Sequence, residues 1–151
     1  MHMKPFIETT WVPEKGLATV ALHNTYGVFV GCANCHDDDM DMCNDKTGLQ
    51  IAMHRATIKY YRNRRDDIKS RLAGLNQLFY SMKHSKNFNP TSYENKMLQR
   101  QIRNLTDDLA TIKEMIATEE QTMREYISEK DKFYKKIRKN RNKNVELDKN
   151  N

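Results

Sequence analysis

Hydrophobic residues recur at alternating steps of four and three along the second half of the chain. This heptad spacing predicts a helix with a narrow apolar side that needs a partner helix. Thr91 and Glu94 have the spacing of a capping box, so we predict a helix from Thr91 to about Arg138. The heptad positions are Leu98, Ile102, Leu105, Leu109, Ile112 and Ile116.

A second apolar stripe with helical spacing precedes this segment. It predicts a first helix from near Thr47 to about Met82, and Arg65 lies on the same stripe where an apolar residue would be expected. The connection is short, so the two helices should return antiparallel as a hairpin. The stripe consists of Ile58, Tyr61, Ile68, Leu72, Leu75, Phe79 and Met82.

The first 33 residues alternate between apolar and polar positions in three short runs. Phe6–Val12, Leu17–His23 and Val28–Ala33 read as antiparallel strands, with Gly27 supplying a positive φ in the second turn. Because a three-stranded sheet with one apolar face is not stable alone, it should pack on a helix or on another subunit. The predicted fold is α+β, a small N-terminal antiparallel three-stranded sheet followed by two long antiparallel helices.

These elements predict three parts of the chain. Residues 1–46 hold the sheet and an acidic loop, residues 47–138 the helical hairpin or coiled coil, and residues 139–151 a disordered basic tail. The second helix extends beyond what the first can cover, so its last apolar residues would need another chain. We therefore expect a homo-oligomer. These residues are Met123, Tyr126, Ile127, Phe133 and Ile137.

Composition restricts the possible function. Hydrophobic residues make up 38% and charged residues 30% of the 151, and the mean hydropathy is −0.90. No run is apolar enough for a membrane span, and no secretory signal is present, so a cytosolic protein without a membrane partner is expected. Most of the +6 net charge lies in residues 132–143. That run could bind nucleic acid, but a solvated tail is the favoured interpretation, and nucleic acid is not an expected partner.

Cysteines in a cytosolic protein are expected to be thiols or metal ligands rather than disulfides. Cys32, Cys35 and Cys43, with His36 or His54, make a weak zinc candidate because a second ligand pair is missing. The acidic run after His36 lacks the glycine and closing glutamate of a calcium loop and reads as solvated. No nucleophile or dinucleotide motif is present, so we expect neither an enzyme nor a cofactor.

Arginines and aromatic residues cluster along the helices. Arginine binds phosphate through its planar fork and aromatic rings stack on bases, so the pattern could hold a phosphorylated nucleotide. From the pattern alone, the favoured interpretation is that these are surface arginines and seam aromatics. The residues are Tyr60, Tyr61, Arg62, Arg64, Arg65, Phe79, Tyr80, Arg100 and Arg103.

One segment resembles a family of small phage proteins. Gly27–Asp39, then Gly48–Ala52, then Arg55-Ala56-Thr57-Ile58-Lys59 are similar to the glycine-ended strand, Cys-His, acidic turn and Ala-x-x-Arg-Ala of the phage Thoeris anti-defence proteins, first family. Asp37 stands where that family has proline. The order of sheet and helices is also similar.

The resemblance implies a molecular sponge in the cytoplasm of an infected bacterial host. Such a protein binds a cyclic ADP-ribose isomer without cleaving it, and some members also bind cyclic trinucleotides. Members assemble through their helices, here into a dimer or a larger assembly up to a hexamer. The alternatives are a nucleic-acid-binding protein that uses its basic C-terminus and a coiled-coil scaffold without a ligand. The candidate ligand-binding residues are Phe79, Asn89, Thr91, Arg100, Arg103, Arg55 and Arg65.

Overall fold

The protein consists of three strands followed by two long helices, in the order that the sequence predicts. The computed structural model describes residues 4–36, 40 and 43–149, with the backbone alone for residues 147 and 148. The acidic residues 37–39 and 41 lie outside the described residues. The elements are β1 (Phe6–Val12), a 3-10 turn (Pro13–Lys15), β2 (Leu17–Asn24), β3 (Gly27–Asn34), α1 (Asp45–Lys83) and α2 (Tyr93–Lys149).

The strands form one antiparallel sheet in the order β1-β2-β3. Gly16 (φ 55°) and Gly27 (φ 135°) have the positive φ angles that the two connections require, which confirms the prediction for Gly27. In the second connection the Tyr26 N–H donates to Asn24 Oδ1 at 2.8 Å. Tight connections of this kind fix the register, so the alternating side chains of each strand fall on defined faces.

One face of the sheet packs on the first turns of α1 through small residues. Ala18, Val20, Ala52 and Ala56 are fully buried there. A Cβ on Gly31 would overlap the Ala52 carbonyl oxygen and lie 2.5 Å from the Ala56 nitrogen. Backbones can approach this closely only where glycine and alanine meet, so the small residues of the motif set the position of α1 against β3.

Two side chains of α1 bond the outer edge of β3. Arg55 Nη1 donates to the Cys32 carbonyl oxygen at 2.6 Å, and Lys59 Nζ donates to the Val30 carbonyl oxygen at 2.6 Å. Unpaired edge carbonyls are a template for pairing with another chain. These two long cations occupy that edge, so β3 is protected from further pairing.

A histidine–carboxylate pair ties α1 to α2 beside the sheet. Gln50 Nε2 lies 3.2 Å from His54 Nε2, and His54 Nδ1 lies 2.6 Å from Glu119 Oε1. An amide nitrogen only donates, so His54 Nε2 accepts and Nδ1–H donates to the carboxylate. Both ring nitrogens of this buried histidine are therefore satisfied.

The N-termini of both helices are capped by side chains. Asn44 Oδ1 accepts the Thr47 N–H at 2.8 Å, which starts α1 two residues before the predicted position. At α2 the cap is Ser92, whose Oγ accepts the Asn95 N–H at 3.3 Å. The capping box predicted for Thr91 and Glu94 is wrong, because Thr91 is held instead in the turn that precedes the helix.

Two compact units make up the chain. The sheet unit comprises Met1–Lys59 and Glu119–Asn151, and the hairpin unit comprises Tyr60–Thr118. Both helices pass through both units, so the predicted boundary at residue 46 does not coincide with a compact unit. Residues 139–149 continue α2 in place of the predicted disordered tail, and 150–151 lie outside the described residues. The lysines, arginine and glutamate of this segment are good helix formers, whereas Asn140, Asn142 and Asn144 are not, so helix propensity accounts for the continuation only in part.

The predicted heptad seam is buried in part within the hairpin unit. Leu98, Leu105 and Ile116 have relative exposures of 9% or less, and the other three heptad positions are half-buried. Ile68, on the apolar stripe of α1, is also buried. The expectation that the later apolar residues of α2 all need another chain is wrong for Tyr126 and Ile127. Tyr126 lies 6.2 Å from the His54 ring, and Ile127 lines a cavity in the sheet unit. Phe133 remains exposed.

Candidate ligand-binding sites

An aromatic pair and an amide network lie where α1 turns into α2. We call residues 79–95 the hairpin end. The rings of Phe79 and Phe88 meet edge to face, with centroids 6.2 Å apart and an interplanar angle of 76°. Both side chains are half-buried, so one part of each ring contacts the chain and another part faces solvent. The predicted residue Phe79 therefore offers a partly open aromatic surface.

Asn89 and Thr91, both predicted, bond to each other. Asn89 Oδ1 accepts the Thr91 N–H at 3.0 Å and the Thr91 hydroxyl at 2.8 Å. This turn chemistry orients the Asn89 carbonyl oxygen toward Asn95, whose Nδ2 donates to it at 2.5 Å. The predicted pair is therefore part of a local network whose third member, Asn95, was not predicted.

Asn95 carries the one unsatisfied group of this network. Its side chain is buried, with a relative exposure of 4%, and its Oδ1 has no hydrogen-bond partner among the residues that the structure describes. A buried acceptor without a partner costs about 1–3 kcal/mol. Sequence reasoning missed Asn95 because a polar residue in the first turn of a helix is ordinary.

Three of the predicted arginines lie on the hairpin unit but away from this network. Arg100 and Arg103 are exposed on α2, about 10 and 15 Å along the helix from Tyr93. Arg65 Nε bonds Asp66 Oδ1 at 2.9 Å, about 21 Å along α1 from Phe79. This hydrogen bond is the main cause that holds the pKa of the Asp66 carboxyl below its ordinary value. One protomer does not gather these guanidinium groups around Phe79.

Arg55 belongs to the sheet unit, where it lines a cavity of about 220 Å³. Because its guanidinium also bonds the Cys32 carbonyl, part of its role is structural. The cavity is smaller than most ligand pockets and fits at most a ring or a small anionic group. The other side chains that give it chemical character are Trp11, Ile127, Lys130, Asp131 and Tyr134.

The sequence gives no sign of this cavity. Trp11 comes from β1, Arg55 from α1 and Tyr134 from α2, so only folding brings them together. Lys130 and Asp131 add one charge of each sign. An aromatic wall with mixed charges suits a small zwitterion or a flat anion, and it has no arrangement specific to the pyrophosphate of a dinucleotide.

The three cysteines do not form a ligand set. Cys35 and Cys43 are joined in a disulfide with Cα atoms 6.2 Å apart, and Cys32 is an exposed free thiol. The expectation that all three are thiols or ligands is therefore wrong for Cys35 and Cys43. Within the described ranges, no group of three or more histidine, cysteine or acidic side chains is arranged to hold a metal. The weak zinc candidate has no support from this geometry.

Comparison with known proteins identifies no family, so the class of protein is argued from the sequence and the structure. No protein-family model, no curated protein and no solved structure matches it. Among the described residues, no helix is long and apolar enough to cross a membrane. The molecule is an α+β protein with a small sheet, two long helices and two separate places that could hold a ligand.

Proposed function

We propose that this protein binds a cyclic ADP-ribose isomer at the hairpin end and sequesters it without cleavage. In the cytoplasm of an infected bacterium, this binding would withdraw the signal that activates Thoeris immunity. The observation that carries the proposal is the buried Asn95 Oδ1 without a partner, in the network next to the Phe79–Phe88 pair. An adenine offers both a flat face for a ring and an amino group that donates to an amide oxygen.

The ligand's two phosphates need cations that one hairpin end does not supply. Arg100 and Arg103 are exposed on α2, and neither makes a hydrogen bond or ion pair within the part of the chain that is described. We therefore include a homo-oligomer in the proposal, in which these arginines of one protomer approach the hairpin end of another. Enclosure between protomers would exclude water and slow release of the ligand.

Calorimetry with cyclic ADP-ribose isomers tests the proposal. We expect Phe79→Ala to weaken binding by more than about tenfold, because a stacked base contributes about 1–3 kcal/mol. Leu78→Ala is the matched control, since Leu78 is the preceding residue of α1 and is 50% exposed. Its affinity should equal that of the wild type.

The fate of the ligand separates sequestration from turnover. Denaturing the complex should release the isomer with unchanged mass and chromatographic behaviour. The absence of binding heat for every isomer would end the proposal, and recovery of a cleaved product would replace the sponge with an enzyme.

A further inference from the structure

The basic run near the C-terminus lies on a helix, so its cations have fixed directions and can form a defined surface. Residues 132–143 contain seven lysines and arginines and no acidic residue. The structure places all of them on α2, which continues to Lys149. A run in a loose tail presents its charges in no fixed pattern, whereas a helix fixes the direction of each side chain.

Five of the seven cations form a stripe along one side of α2. At 100° per residue they fall within an arc of about 100°, over about 16 Å of the helix axis. All five are exposed, and none is in an ion pair within the described part of the chain. Glu129 and Glu146 bound the stripe at its two ends. The lysine stripe consists of Lys132, Lys135, Lys136, Lys139 and Lys143.

A different side of the same helix packs in the sheet unit. Ile127, Asp131 and Tyr134 line the cavity of the sheet unit, and the centre of this arc lies about 120° from the centre of the stripe. The lysines therefore point away from the packing that holds α2 in the sheet unit. Their long side chains remain available to a partner.

We propose that the lysine stripe binds duplex nucleic acid through its phosphates without reading the sequence. B-form DNA carries one charge per about 1.7 Å of axis, so a stripe of 16 Å faces about ten phosphate charges. The stripe itself contains only ammonium groups, which contact phosphate as point charges, and Asn140 and Asn142 are the only amides directly beside it within residues 132–143.

The composition of this face favours nucleic acid over a lipid surface. A helix that lies in a membrane interface needs a wide apolar face beside its cations. Residues 132–143 place only lysine and asparagine within the arc of the stripe and directly beside it, and the exposed Phe133 lies about 100° from Lys132. The stripe thus supplies charge without the apolar area that would insert between lipids.

Fluorescence anisotropy with a labelled 20-base-pair duplex of mixed sequence tests this proposal. The full chain should bind with a Kd of about 10⁻⁴–10⁻⁶ M near physiological salt, and log K should fall with log salt at a slope of about −4 to −5. Replacing all five lysines of the stripe by glutamine should lower affinity by about 100-fold at 50 mM salt and remove most of that slope.

A charge-matched variant is the control. It replaces five exposed lysines elsewhere, Lys4, Lys15, Lys46, Lys69 and Lys113, by glutamine, so both variants carry a net charge of +1 (6 − 5). Its affinity should stay within about threefold of the wild type, since its charges lie outside the contact. Phe79→Ala should bind the duplex like the wild type, which separates this surface from the proposed nucleotide site.

Three results would overturn the proposal. They are no binding of the wild type at 50 mM salt, an equal loss in the two five-lysine variants, and sedimentation with phosphatidylserine vesicles at concentrations that leave the duplex free. Glutamine is a good helix former, so circular dichroism should show unchanged helicity. If helicity falls, the pair Lys135→Glu and Lys139→Glu replaces the larger variant and should lower affinity at least tenfold.

Discussion

The sheet–helix contact and the hairpin end differ in how completely their apolar groups are packed and their polar groups hydrogen-bonded by the chain itself. Around Gly31 the backbones of β3 and α1 are in contact, the neighbouring alanines are fully buried, and Arg55 and Lys59 bond the edge carbonyls. At the hairpin end two aromatic rings are half-exposed and the buried Asn95 Oδ1 lacks a partner among the described residues. A region closed by its own chain serves stability, whereas a region left incomplete is available to a ligand.

The largest expected effect tests the closed contact. Gly31→Val should destabilise the protein by at least about 3 kcal/mol, because its Cβ would occupy the position of the Ala52 carbonyl oxygen and separate β3 from α1. Urea denaturation followed by circular dichroism measures the change.

Gly74→Ala is the control, for which we expect a change in stability of opposite sign. A Cβ there meets nothing within 4 Å, so this helix-interior replacement should stabilise by about 0.5–1 kcal/mol.

The His54–Glu119 hydrogen bond should account for the next largest effect. A double-mutant cycle with His54→Ala and Glu119→Ala should give a coupling energy of about 1–2 kcal/mol, since the donor and the carboxylate are largely removed from water. Denaturant midpoints of the four proteins supply the cycle. A coupling energy near zero would mean that this pair does not help to hold α1 and α2 together.

A smaller effect is expected at the start of α2. Ser92→Ala should cost about 1 kcal/mol because it removes the acceptor of the Asn95 N–H, whereas Thr91→Ala should cost less. Thermal unfolding of the two variants ranks them. A larger loss of stability for Thr91→Ala than for Ser92→Ala would indicate that Thr91 is the cap and would contradict the hydrogen bonds described for this turn.

The smallest effect concerns Asp66 in the hairpin unit. Arg65→Gln should raise the pKa of the Asp66 carboxyl toward its ordinary value, because the hydrogen bond and the charge that favour the carboxylate are lost. An NMR titration of the Asp66 side chain measures this shift. Stability should not change measurably, since the pair is exposed and water screens it. A clear loss of stability would show that the hairpin unit is closed by its own contacts as the sheet unit is.

Sequence reasoning located the elements well because each has a local signature. The alternation of β1, β2 and β3, the glycines of the turns and the heptad seam of α2 all predict structure from neighbouring residues alone. Predictions failed where neighbouring residues offer more than one possible partner. Thr91 had the pattern of a cap, but its bond to Asn89 left that role to Ser92. Cys35 and Cys43 were predicted to be thiols or metal ligands, but the structure joins them in a disulfide.

The candidate site was predictable only in part. Phe79, Asn89 and Thr91 do lie together at the hairpin end, as their positions around a short connection require. The predicted arginines do not join them, because helix spacing spreads Arg100 and Arg103 along α2 and Asp66 bonds Arg65. Asn95 bonds the nearby Ser92 and Asn89, but its spacing matches no motif, and the cavity of the sheet unit depends on contacts between residues far apart in sequence.

The sequence by itself determined the strands, the helices and the apolar sides they bury, because periodicity and turn chemistry act within a few residues. Tertiary structure decided which groups are satisfied and which are not. It set Gly31 against Ala52, placed His54 on Glu119 and left Asn95 Oδ1 without a partner. The contacts of Gly31 and His54 depend on distances between segments that are remote along the chain, and no local pattern carries that information.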